Sequence, residues 1–276
     1  MLKMILFLTL IIALFQKQLW WLGLRLSDND GWSCYLGIAI SILFIFKNKK
    51  DTNIKKYNFY FLSICLIFFC LTIEFMPHII QCLFILFILY TGFCLCLGKA
   101  FHFHIILLLC FCLPWLDTFQ FYLGYPLRMI CSHGAIVFFN LINLPVELKG
   151  VLFSYQGQTV YIDAPCSGIK MLYIGLLFAV ILCNLFELSF KKTVVFLGST
   201  FLMILVTNVF RYIILFFGEA GFFYMPEWLH SGFGLILFFL NNIICFYLIN
   251  NYEIVSKYYN DSISFIKNLS FRKGHT

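Results

Sequence analysis

The stretch YIDAPCSGIKMLY, residues 161–173, sets a thiol in the most polar short window of an otherwise greasy chain. Asp163 and Pro165 precede Cys166, Ser167 and Gly168 follow it, and Lys170 comes next. Proline and a Ser-Gly pair suit a helix entrance. A thiol at a helix N-terminus feels the positive end of the dipole, which favours the thiolate, and Lys170 adds positive charge one turn on. A thiolate is a nucleophile at neutral pH, whereas a thiol is not. A second candidate is Arg211, inside the apolar run TVVFLGSTFLMILVTNVFRYIILFFG. Charge there is costly, so an intramembrane arginine is a functional candidate by default. Asn208, three residues earlier, shares its face. A third is His230, in MPEWLHSGFG. A Cys–His pair with a cation supplies nucleophile, general base and oxyanion stabiliser for acyl transfer. Singly, each has a structural explanation: an inert thiol, a snorkelling arginine, an interfacial histidine. What distinguishes chemistry from coincidence is whether they reach one place.

The elements that must bring them there are membrane helices. Of 276 residues 62% are hydrophobic and only 11% charged, with mean hydropathy +0.94. A soluble domain carries roughly a quarter charged residues. The expected fold class is all-α, a polytopic transmembrane bundle of about eight spans, each needing roughly 20 apolar residues. Spans are expected near 4–23, 31–46, 57–76, 78–97, 98–116, 169–188, 193–217 and 229–250. The first lacks a small-residue cleavage site after it and reads as a span, not a removable signal. Three parts are expected: N-terminal transmembrane helices over 1–116, a core over 117–250, and a basic cytoplasmic tail over 251–276.

Orientation follows from Lys and Arg in short loops. KNKKDTNIKK (47–56), the Lys191–Lys192 pair and the tail all read as cytoplasmic. Four spans separate the first two basic loops and two separate the second from the tail, so the parities agree. Residues 117–168 and 218–228 then lie outside, and Cys166, Arg211 and His230 approach the same face from three consecutive helices. Arg211 sits roughly 9 Å below the outer end of its span at about 1.5 Å per residue. Residues 121–144 are expected as an amphipathic helix at the outer interface. VLFSYQGQTVYID, after it, reads as a short β-hairpin before Cys166. Net charge is +7, but the basic residues sit dispersed or at span ends, so nucleic acid is not an expected partner. Nine of the 12 cysteines lie in apolar segments without disulfide spacing and read as small hydrophobes.

APCSGIK (164–170), TNVFRY (207–212) and WLHSGFG (228–234) resemble, in that order, the three motifs of the exosortase/archaeosortase superfamily. The lead-in PLRMICSHGAIVFFNLINLPVELKGVLFSYQGQTVYID resembles it too, and the similarity covers about residues 114–240. It implies a multispan bacterial or archaeal cysteine protease or transpeptidase of the cytoplasmic membrane, with its site facing outward. The implied partners are secreted proteins with a C-terminal sorting signal: a short motif, a hydrophobic helix and a basic cluster. Membrane lipid surrounds the enzyme, and no cofactor and no metal are implied. Carried over, Cys166 is the nucleophile, Arg211 the stabilising cation and His230 the acid/base, with Asn208, Ser167 and Gly168 supporting or binding substrate.

Rival readings are weaker. Ser167 and Lys170 form an S-x-x-K pattern, but the chain's one SDN lies far upstream of it, at 27–29, and no KTG accompanies it. His102 and His104 sit at i and i+2, which point apart on a helix, with no third ligand near. A non-catalytic transporter or scaffold would explain the spans and Arg211. It would not explain a cysteine and a histidine on that arginine's side, and no inverted repeat with broken helices is evident.

Overall fold

The computed structural model describes residues 9–27, 32–47, 55–98, 102–160 and 167–224, and beyond these 226, 232, 234, 236–244, 246–248, 250 and 251. Cys166 and His230 lie outside the described residues. The protein is mostly helical with one small sheet. Among the described residues, two helices, His78–Leu97 and Phe190–Glu219, are long and apolar enough to cross a membrane, with mean hydropathies of 2.4 and 2.0. Shorter apolar helical stretches cover Ser33–Lys47, Phe59–Leu71, Ile169–Leu185 and Ile236–Leu248. The chain divides into two compact units, Met1–Leu123 and Gly124–Thr276.

The first unit holds α1 (residues 9–14), α2 (Gln16–Leu26), α3 (Trp32–Lys47), α4 (Lys55–Thr72), α5 (His78–Leu97), α6 (Phe103–Cys110) and the start of α7 (Leu116–Leu141). Its cores are apolar: Ile11, Phe15, Cys65, Phe69, Ile85 and Ile88 form one, and Leu22, Leu26, Cys34, Cys82 and Leu113 another. Into this apolar setting Gln81 brings a buried amide. The cost of burial is met by hydrogen bonding. Its Nε2 donates to the carbonyls of Ile73 and Met76, both at 2.8 Å, and its Oε1 accepts from Gln18 Nε2 at 3.0 Å. Pro77 caps α5 at its start, and Gly98, left-handed at φ 63°, ends it.

Here the structure differs from the sequence expectation. The crossing expected over 98–116 contains a helix of only eight residues, Phe103–Cys110. That is roughly 12 Å long, against a hydrocarbon core of about 30 Å. Gly98 and Pro114 explain the truncation. A left-handed glycine closes the preceding helix, and a proline interrupts the backbone ladder. His102 caps α6, its N–H donating to Tyr90 Oη at 2.8 Å.

The second unit is built from the rest of α7, a three-stranded sheet, α8 (Ile169–Leu185), α9 (Phe190–Glu219) and α10, whose described residues from 232 to 251 are helical. The helix expected over 121–144 begins earlier, at Leu116, and runs 26 residues. Leu127, Cys131, Ala135 and Phe139 recur every four residues along it, and all are buried. Cys131, Ala135 and Phe139 of that stripe share a core with Tyr212, Ile213, Leu215 and Phe216 of α9. Gly134 allows close approach: a Cβ there would stand 2.8 Å from a Val209 methyl.

The expected hairpin is present, with a third strand added. β2 (Leu152–Tyr155) pairs antiparallel with β3 (Gln158–Val160) through a Gln156-Gly157 turn with both φ angles positive, 50° and 79°. Two positive φ values give the turn the twist a two-residue hairpin needs. β1 (Glu147–Lys149) pairs with β2 on its other side, through a loop beginning at Gly150 with φ 68°. The register sets Phe153 opposite Val160, both facing the core. Phe153, Phe139 and Phe216 form an aromatic triangle with centroid distances of 5.8, 4.3 and 5.5 Å. The triangle ties sheet, α7 and α9 together just before the chain reaches Cys166.

Candidate active site

The segment after Cys166 is fixed by a buried amide. Asn208 is 1% exposed, and its Nδ2 donates to the Ser167 carbonyl at 3.1 Å and to Cys131 Sγ at 3.2 Å. One α9 side chain thus joins α7 to the mouth of α8. Its Oδ1 is also buried, with no hydrogen-bond partner among the described residues. Gly168 is the N-cap of α8 in the left-handed conformation, φ 83°. A Cβ at Gly168 would stand 2.5 Å from Asn208 Nδ2. Backbone angle and neighbour both demand glycine here. Ser167 is buried at 1%, while Lys170 is exposed.

Arg211 lies one turn beyond Asn208 on α9, eight residues before the end of the helix at Glu219. At about 1.5 Å per residue that is roughly 12 Å of depth. Its Nη1 approaches Met171 Sδ at 4.0 Å. On its other side lies Gly234 of α10, where a Cβ would stand 3.2 Å from Arg211 Cζ and 3.3 Å from Nη2. The guanidinium therefore lies between a residue five positions after Cys166 and one four positions after His230. α8, α9 and α10 also meet deeper down, where Gly175 faces Ile204 and Asn241.

Of the six residues singled out from the sequence, the structure brings together Asn208, Ser167 and Gly168, and seats Arg211 between α8 and α10. Cys131, Met171 and Gly234 are neighbours that the sequence reading gave no role. Cys131 and Met171 looked like ordinary apolar residues of their helices. Gly234 carried a signal in its place one turn along from a candidate histidine. Tyr212, next to Arg211, is fully buried in the aromatic core.

Long apolar helices, a largely apolar lipid-exposed surface and a half-buried arginine held between helices define a helical membrane protein with a polar seam between its last three helices. The model of the transmembrane exosortase family (Exosortase_EpsH) matches residues 20–247, and the chain belongs to that family. No curated protein and no solved structure matches it.

Proposed function

We propose that this membrane exosortase is a cysteine protease or transpeptidase that cleaves C-terminal sorting signals of secreted proteins. The core over 117–250 carries the site, and the site faces the extracytoplasmic side of a cytoplasmic membrane crossed about eight times. The observation that carries the reading is the seat of Arg211. Its guanidinium has the helix after Cys166 on one side and the helix after His230 on the other. A cation there is placed to meet charge developing on a carbonyl attacked from the α8 entrance.

In the first half of the reaction the Cys166 thiolate adds to the scissile carbonyl, and Arg211 stabilises the oxyanion of the tetrahedral intermediate. The intermediate collapses by breaking the C–N bond, and His230 gives its proton to the departing amine. A thioester remains. Water or an acceptor amine then adds to it, His230 takes the proton, and the thiolate leaves. An imidazole's ordinary pKa of about 6.5 suits both directions of transfer. Asn208 holds the Ser167 carbonyl, which fixes the backbone next to the nucleophile. The proposal is tested by expressing Cys166→Ala beside a sorting-signal protein and immunoblotting. Uncleaved precursor should accumulate, and undiminished processing would refute the assignment.

A further inference from the structure

At the other end of α9 from Arg211, a cavity of about 430 Å³ opens between α9, the α8–α9 connection and α10. That volume lies in the range of small-molecule sites, about 300–1,000 Å³. Lys191, Lys192, Val195 and Phe196 line it from one stripe of α9, Leu188 from the connection and Leu248 from α10. The chemistry changes along the helix axis. Lys191 and Lys192 line it in the first turn, and beyond them the wall is hydrocarbon apart from Ser199, whose hydroxyl donates to the Val195 and Phe196 carbonyls. α9 is long and apolar enough to cross a membrane, so a lysine pair at its start marks the level of the headgroups. Next to the cavity the surface stays apolar and open to lipid: Val195 is 72% exposed and Leu202 61%.

A ligand matching this wall is anionic at one end and hydrocarbon along the rest. We infer that the cavity seats one anionic phospholipid, its phosphate on Lys191 and Lys192 and an acyl chain along Val195, Phe196 and Leu248. Charge complementarity selects this occupant over the transmembrane helix of a substrate. The proposed substrate helix ends in a basic cluster, which two lysines at the headgroup level would repel. A zwitterionic lipid offers the same hydrocarbon but no net charge to the pair. The choice of lipid over a substrate helix rests on the proposed sorting-signal substrate, whereas the cavity and its lysine pair do not, because none of these residues belongs to the Arg211 seam.

The test uses full-length protein in nanodiscs of equal phosphatidylglycerol and phosphatidylcholine, with native mass spectrometry counting the lipids retained after mild extraction. The natural chain should retain phosphatidylglycerol in preference. Lys191→Gln/Lys192→Gln should lower that enrichment roughly 10- to 30-fold, since each lysine contributes on the order of 1 kcal/mol to anionic-lipid attraction. Val195→Trp, at an exposed position, should fill the apolar part and abolish retention with both lysines intact. Equal retention of the two lipids overturns the inference. So does loss only in the lysine variant, which would mean diffuse surface attraction, or loss only in the tryptophan variant, which would mean an uncharged hydrocarbon groove. Displacement of phosphatidylglycerol by a sorting-signal helix with its basic cluster would assign the cavity to substrate instead.

Discussion

At the residue scale the seam depends on one amide and two glycines. Asn208→Ala removes two buried hydrogen bonds, to the Ser167 carbonyl and to Cys131 Sγ. The expected cost is about 1–3 kcal/mol, read as a lower Tm in detergent, together with slower processing. Gly168→Ala meets a left-handed φ and a 2.5 Å approach to Asn208 at once. It should impair processing severely, whereas Ser167→Ala should be mild, because the serine contributes its backbone carbonyl and no chemistry. Arg211→Lys keeps the charge but loses the planar fork between Met171 and Gly234. Its cleavage rate should fall by roughly 10²–10³, the usual effect of losing one oxyanion donor. Candidate residues could be read from sequence because charge and thiols are conspicuous in an apolar chain. Their neighbours could not. Cys131 and Met171 look like any apolar helix residue, and only the folded seam shows what they touch.

At the element scale, sequence pattern and structure agree where a helix is long and unbroken. His78–Leu97 matches its expected span, and Phe190–Glu219 extends the one expected over 193–217. They part where turn chemistry intervenes. Gly98 and Pro114 cut the stretch 98–116 to an eight-residue helix, because hydropathy records apolar content and not a broken ladder. β1 went unforeseen because three residues, Glu147–Lys149, carry too little alternation to register. Its signal was Gly150, a residue suited to the positive φ of a two-residue loop. The 26-residue α7 is roughly 39 Å long, but it is not among the helices apolar enough to cross a membrane. The loop around 51 should be cytoplasmic, and a single cysteine there should label only from the inside. The sheet and α9 depend on each other through the aromatic triangle. Phe139→Ala should cost about 3–5 kcal/mol in thermal unfolding, since that ring is fully buried against Phe153 and Phe216.

At the scale of the whole molecule, the chain belongs to the transmembrane exosortase family, and the proposed chemistry rests on that membership and on the seat of Arg211. The family model spans residues 20–247 and so covers every helix from α3 to α9. In the seam the arginine lies beside Met171 of α8 and Gly234 of α10. The central claim is that the Cys166 sulfur becomes acylated by substrate. The most direct measurement is peptide mapping by mass spectrometry of the purified protein, quenched in acid during turnover of a sorting-signal substrate. A thioester adduct on the peptide containing Cys166, absent from Cys166→Ala, is the predicted result. An adduct on Ser167, or continued cleavage by Cys166→Ala, would contradict it.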